Sequence, residues 1–150
     1  MDNKLYLPFM KKIIFFVLTL LLLGACSSDD TVRFRNPYIL NIDFAISLNT
    51  NLPQYSILQF PGNAAYIPNV GNRGVFVINT GTGIRAWEAT DPNHEIRECS
   101  TMELNGIEVT CPCEGTTYNL YTGLAKGEDK EYPLLEYRTS KNGNLISINN

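Results

Sequence analysis

The chain has 150 residues but only one histidine, His94, and one tryptophan. A single histidine excludes, within one chain, any metal or cluster site that needs two imidazole ligands. Basic clusters are also absent, and the net charge is −3. Nucleic acid is therefore not expected as a partner, because proteins that bind it carry a basic face. The sequence contains no G-x-S-x-G motif, no internal repeat and no convincing amphipathic helix.

The N-terminal segment is basic and then apolar. Lys11 and Lys12 precede IIFFVLTLLLLGAC, and the apolar run of residues 13–23 is shorter than the roughly 20 residues that span a bilayer. This order of basic, apolar and small residues is typical of a secretory signal. The LGAC box before SSDD resembles the cleavage site of bacterial lipoproteins. The resemblance implies a signal peptide over residues 1–25 and acylation of Cys26.

Residues 26–40 are accordingly predicted to be the lipidated cysteine and a flexible tether. Several acyl chains on Cys26 would make a stable anchor, so the membrane is one expected partner. The expected location is the bacterial cell envelope, at the outer membrane, with the periplasmic and surface sides both open. Disulfides persist in that compartment.

Residues 41–150 are predicted to form one all-β domain. Short β-rich runs occur at 44–49, 55–60, 75–79 and 84–88, two more flank a cysteine-containing loop, and the last hairpin turns at Asn142–Gly143. In the run 75–79, alternate residues would face opposite sides of a sheet, and most are apolar, so both faces should be covered. This spacing of strands indicates an antiparallel sandwich or barrel.

Four residues with metal-binding side chains lie close together, between positions 94 and 113. They are His94, Cys99, Cys111 and Cys113. Such a set could form one disulfide, hold a metal ion, or leave a reactive thiol.

The second loop and the strand after it resemble a known family. In CPCEGTTYNLYTG, residues 111–123, the matching positions are Cys111, Pro112, Gly115, Tyr118, Asn119, Thr122 and Gly123. This pattern is similar to the second loop of Rieske iron–sulfur domains, which hold a 2Fe-2S cluster with two cysteines and two histidines from a Cys-x-His and a Cys-x-x-His loop. The resemblance covers roughly residues 70–149 and implies a Rieske-like antiparallel β-sandwich or barrel with two loops at one end.

The resemblance also implies a disulfide between Cys99 and Cys113, which would clamp the two loops. Pairing of Cys99 with Cys111 is the alternative and stays open. If the implied bridge forms, Cys111 is the odd thiol, either buried and inert or reactive.

The family's ligands are missing. Glu114 stands where the second loop has its histidine, and the first loop reads TDPNHE, with Asp91 and Asn93 at ligand positions and His94 one residue late. The loops are therefore predicted to be degenerate, and no metal is favoured. A metal, if held, would use His94, Cys99, Cys111 and Cys113, as zinc or a differently ligated cluster. His94 is expected to be an exposed loop residue and Glu114 to face solvent.

The predicted function is a membrane-anchored scaffold or binding module for an unknown envelope protein, without catalytic residues. The alternative is an electron-transfer protein that carries a 2Fe-2S cluster with non-standard ligands, as a component of an oxidoreductase. A third reading makes Cys111 a nucleophile with His94 as its base, a pair favoured only by proximity in sequence.

Overall fold

The computed structural model describes residues 36–127 and 129–150. The described residues belong to one compact unit, Asn36–Asn150. They contain no α-helix, and short 3₁₀ turns occur at Ser56–Gln59 and Glu98–Ser100. The strands are β1 (Ala45–Asn49), β2 (Ala64–Ile67), β3 (Val75–Asn79), β4 (Ile84–Glu88), β5 (Glu103–Asn105), β6 (Glu108–Thr110), β7 (Thr117–Asn119), β8 (Glu136–Asn142) and β9 (Leu145–Asn149). The prediction of an all-β domain is confirmed.

The strands form two sheets in which every pairing is antiparallel. The larger sheet has six strands in the order β1-β9-β8-β4-β3-β2, and the smaller has three in the order β5-β6-β7. Strand β8 pairs with β9 over residues 138–142 and with β4 at its start, at Glu136 and Tyr137. The smaller sheet carries the second loop between β6 and β7.

Strand β3 is buried on both faces, as predicted from its sequence. Val75 and Val77 lie in a cluster with residues of β8 and β9, while Phe76 and Ile78 lie in a second cluster with Trp87 and residues of the smaller sheet. All five residues of the strand are buried. Because every second side chain points the same way, one apolar strand supplies both cores.

Both predicted hairpins are present. Asn79 faces Ile84 across the turn at residues 80–83. In the closing hairpin Asn142 faces Leu145, so the turn residues are Gly143 and Asn144, one position later than expected. Gly143 has φ +57°, a left-handed conformation that glycine adopts without steric cost.

The strand predicted at residues 55–60 is wrong. This segment forms a 3₁₀ turn in which the amide of Leu58 donates to the carbonyl of Tyr55 and that of Phe60 to Ile57. Leu58 alone is fully buried, whereas Ile57 and Phe60 are exposed. Hydrogen bonds within the turn satisfy its backbone groups. Because Leu58 is the one side chain that is buried in the core, the segment has no alternating buried face of the kind that stabilises a strand. Strands β2 and β5 were not predicted.

The described chain begins within the stretch predicted as tether. The Asn36 side chain donates to the Pro92 carbonyl at 2.7 Å, and the Leu40 amide donates to Asn72 Oδ1 at 3.0 Å. Residues 36–40 therefore pack with the β domain. The predicted signal peptide and Cys26 lie outside the described residues.

Within the described residues, no helix is long and apolar enough to cross a membrane.

Candidate functional site

The two loops identified in the sequence lie side by side and are joined by a disulfide. The first loop, residues 90–95, follows β4, and the second loop, residues 111–115, connects β6 to β7. Cys99, just after the first loop, is bonded to Cys113 in the second. The pairing implied by the Rieske resemblance is present, and the alternative with Cys111 is not. Cys111 is a free, buried thiol.

The second loop is a tight turn held by its own backbone. The Gly115 amide donates to the Cys111 carbonyl at 2.8 Å, and the Cys111 amide donates to the Thr116 carbonyl at 2.9 Å. Gly115 has φ +74°, which explains the need for glycine there. Glu114 is exposed, as predicted.

The side chain of Asn93, in the first loop, is held by hydrogen bonds to residues outside that loop. Its amide nitrogen Nδ2 donates to the Tyr118 hydroxyl at 2.9 Å and to the Tyr132 carbonyl at 2.7 Å. Its Oδ1 accepts from the Tyr132 amide at 3.0 Å. The Asn93 backbone amide donates to Asp91 Oδ1 at 2.9 Å, which closes a turn within the loop.

Asp91 connects the first loop to β7 through Tyr118. The Tyr118 hydroxyl donates to Asp91 Oδ1 at 2.9 Å, and both side chains are fully buried. Burial, followed by the nearby Asp91 carboxylate, raises the pKa of Tyr118 well above its usual range. Asp91 Oδ2 is also buried, and it has no hydrogen-bond partner among the described residues.

His94 is buried, and the expectation of an exposed histidine is wrong. Only 6% of the residue is exposed. Its Nδ1 lies 2.7 Å from the Glu95 carbonyl oxygen, and its Nε2 lies 3.2 Å from Cys111 Sγ. Because a carbonyl can only accept, Nδ1 carries the proton and Nε2 presents a lone pair to the thiol. Packing between the loops draws the ring inward, an effect that residue type does not reveal.

Cys111 lies beside this lone pair as a protonated thiol. Burial, followed by the influence of the Asp91 carboxylate, raises the pKa of Cys111 to about 11. The Cys111–His94 contact is therefore real, but the fully buried thiol lacks the lowered pKa and the access of a reactive cysteine. Its position does not support the nucleophile reading.

A buried carboxylate at the end of β4 positions the first loop. Glu88 accepts hydrogen bonds from the amides of Asn72, Arg73 and Thr90, from the Asn72 side chain and Thr90 hydroxyl, and from the Tyr137 hydroxyl at 2.6 Å. Glu88 was not singled out in the sequence. A charged residue at the end of an otherwise buried strand was the available signal.

The donor atoms present do not fit the ligand set of a Rieske cluster. His94 Nε2, Cys111 Sγ and Cys113 Sγ lie within 4.8 Å of one another. However, Cys113 is committed to the disulfide, so this group offers one imidazole and one free thiol. A Rieske cluster needs two of each. Asp91 and Asn93 occupy the ligand positions of the first loop. They are hydrogen-bonded to each other and to Tyr118.

Comparison with known proteins finds similarity among solved structures. No family model matches the chain, and no curated protein matches it. The ferredoxin of carbazole 1,9a-dioxygenase from Nocardioides aromaticivorans IC177 is 17% identical over 71% of this chain and 95% of that chain, with a TM-score of 0.45.

Two further solved structures are also similar to this chain. A chain from the complex of reduced oxygenase and oxidized ferredoxin in carbazole 1,9a-dioxygenase is 21% identical over 73% of this chain and 94% of that chain, with a TM-score of 0.47. The quaternary ammonium Rieske monooxygenase CntA is 18% identical over 71% of this chain and 30% of that chain, also with a TM-score of 0.47.

Proposed function

We propose that this protein is a lipid-anchored envelope protein whose Rieske-like β domain holds no 2Fe-2S cluster and serves as a binding or scaffold module. The observation that carries this proposal is the state of the second loop. Cys113 is bonded to Cys99, and Cys111 contacts the one histidine of the chain. The two loops therefore offer one imidazole and one free thiol, whereas a Rieske cluster needs two of each.

The bonding within the loops supports a rigid surface. Segments that are distant in sequence are joined by three kinds of link. These are the disulfide, the Asp91–Tyr118 hydrogen bond and the hydrogen bonds between Asn93 and Tyr132. Such cross-links reduce the entropy that a partner must overcome when it binds a loop surface. The exposed residues of this end include Ile96 and Glu114, which would be available to a partner.

The anchor is supported by the sequence of residues 11–30. Basic residues, an apolar run and the LGAC box match the lipoprotein signal, and Cys26 is the residue that would be acylated. An anchored domain in the envelope meets other envelope proteins, so we expect the partner to be one of them.

The cluster-free state is tested by metal content. The full chain, exported in a bacterial host and purified in detergent, should be colourless and should contain no stoichiometric iron or acid-labile sulfide. Two irons and two sulfides per chain, with a reducible visible chromophore, would instead establish the electron-transfer alternative. Mass spectrometry of the same sample should find acyl chains on Cys26, and Cys26→Ser should abolish them.

The binding role is tested by site-specific photocrosslinking in the envelope. A photoreactive residue at Ile96 or Glu114 should give a discrete crosslinked species, whereas one at exposed Lys141 on the closing hairpin serves as the control. No crosslink from the loop positions, or the same species from all three positions, would count against a docking surface at the loops.

A further inference from the structure

Three donor atoms and one unpartnered oxygen converge between the two loops. His94 Nε2, Cys111 Sγ and Cys113 Sγ lie within 4.8 Å of one another. Asp91 Oδ2, which is buried without a hydrogen-bond partner among the described residues, lies 3.9 Å from His94 Nε2. An orphaned carboxylate oxygen inside a protein is costly, so its position beside these donors requires an explanation.

The orientation of His94 is that of a metal ligand. Metal-binding histidines usually donate their second ring N–H to a carbonyl or a carboxylate, which fixes the lone pair toward the metal. His94 Nδ1 is held in this way by the Glu95 carbonyl at 2.7 Å, and Nε2 points at Cys111 Sγ at 3.2 Å.

The spacing of the donors suits a tetrahedral ion. With Zn–N near 2.0 Å and Zn–S near 2.3 Å, an imidazole nitrogen and a thiolate sulfur on the same zinc lie about 3.5 Å apart. The observed 3.2 Å between His94 Nε2 and Cys111 Sγ is close to that value, and Cys113 Sγ needs a shift on the order of 1 Å. Two thiolates, an imidazole and a carboxylate favour zinc over hard ions such as magnesium or calcium.

The disulfide prevents this arrangement while it is intact, because it uses the Cys113 sulfur. We propose that reduction of the Cys99–Cys113 bond opens a mononuclear zinc site between the loops. The ligands are His94 Nε2, Cys111 Sγ, Cys113 Sγ and Asp91 Oδ2. Cys99 is exposed and is not a ligand, so after reduction it turns toward solvent.

The chemistry requires a dithiol reductant. Its two thiols give two electrons and two protons to the Cys99–Cys113 bond, which becomes two thiols, and the reductant becomes a disulfide. Zinc then displaces the thiol protons of Cys111 and Cys113 into solvent and accepts the lone pair of His94 Nε2. The site is thus a redox-controlled metal site, and it is independent of any partner of the loops.

The test uses cobalt(II) as a spectroscopic stand-in for zinc. Full-length protein with Cys26→Ser, so that the three loop cysteines alone are present, is prepared oxidised, and also reduced with a dithiol that is then removed without air. The reduced protein should bind one cobalt with a tetrahedral, thiolate-containing absorption spectrum, and zinc should bleach it. The oxidised protein should show neither.

Variants identify the ligands. In the reduced state His94→Gln and Cys111→Ser should each weaken cobalt binding at least about tenfold, the lower end of the cost of disturbing a metal site. Cys99→Ser and Glu114→Gln should bind like the parent. Circular dichroism of each reduced variant, with and without metal, reports whether it is folded.

Two results would overturn the proposal. One is a reduced parent protein, folded or unfolded, that takes up no cobalt. The other is binding that survives His94→Gln but disappears in Cys99→Ser, since the metal would then sit on the two former disulfide thiols. A metal that restores the fold of an unfolded reduced chain, with the His94 dependence, supports it.

Discussion

The indole nitrogen of Trp87 donates a hydrogen bond to the Leu120 carbonyl at 2.8 Å, and both residues are buried. Trp87 belongs to β4 of the larger sheet, whereas Leu120 follows β7 of the smaller one. The bond therefore ties the two sheets together. The guanidinium of Arg85 lies over the Trp87 ring, 4.4 Å from its centroid.

Gly123 should tolerate no side chain, because it lies against this tryptophan. A Cβ at position 123 would be 2.6 Å from two atoms of the Trp87 ring, and φ there is +75°. Gly123→Ala should lower the free energy of unfolding by about 2–4 kcal/mol, through backbone strain and overpacking together. Urea denaturation followed by Trp87 fluorescence measures the loss.

Gly106→Ala is the matched control. Gly106 also has positive φ, +62°, but a Cβ there would meet nothing within 4 Å. Gly106→Ala should lower the free energy of unfolding by the backbone strain alone, about 1–2 kcal/mol. Equal losses for the two variants would show that the contact with Trp87 contributes nothing.

Glu88→Gln should be strongly destabilising. The buried carboxylate accepts six hydrogen bonds, and an amide would place donor hydrogens against three of the six donors. We expect a loss of about 2–4 kcal/mol, measured by chemical denaturation. Glu136→Gln, which removes an exposed ion pair with Arg85, should cost about 1 kcal/mol at most. If both variants lost the same amount, the Glu88 network would not be a determinant of stability.

Loss of the disulfide should lower the stability of the domain without unfolding its sheets. Cys99 and Cys113 are 14 residues apart, and closing a loop of that size is worth about 3 kcal/mol. The double variant Cys99→Ala/Cys113→Ala should show this decrease in the free energy of unfolding, with an unchanged β-sheet circular dichroism spectrum. Dithiol treatment should lower the stability of the parent but not of the double variant. A decrease in both would point to an effect unrelated to this bond.

Stability should fall in alkaline solution because of Cys111. In the fold the pKa of its thiol is about 11, against an ordinary value of 9.0. Below pH 9 the thiol is protonated in both states, so its contribution is complete. Between pH 9 and about 11 the unfolded chain loses the Cys111 proton and the folded chain keeps it. The unfolded state is therefore stabilised relative to the folded state, and the free energy of unfolding decreases.

Comparison with Cys111→Ala isolates this effect. The free-energy difference between parent and variant should be constant up to pH 9 and then shrink as the pH rises toward 11. The buried hydroxyls of Tyr118 and Tyr137 titrate in both proteins, so their effect on stability largely cancels. A difference that stays constant across this range would mean that the Cys111 thiol titrates as it does in the unfolded chain.

Local patterns predicted much of the fold. Short β-rich runs identified β3 and β4, and glycine-containing turns located both hairpins, because strand propensity and turn conformation depend on neighbouring residues. The same reasoning failed at residues 55–60, where the composition suits a strand but only Leu58 reaches the core. It also missed β2, whose residues pair with residues of β3 that lie 8–14 positions further along the chain.

In the candidate site, too, some features could be predicted from the sequence and others could not. The shortage of ligands could be read from the sequence, since one histidine and a glutamate at position 114 are facts of composition and order. The burial of His94, its contact with Cys111 and the unpartnered oxygen of Asp91 could not. They arise where a loop of the larger sheet meets a loop of the smaller one, and residues 17 apart come within 3.2 Å only after the sheets have packed. Sequence thus determined which chemical groups were available, and the packing of two sheets decided which of them touch.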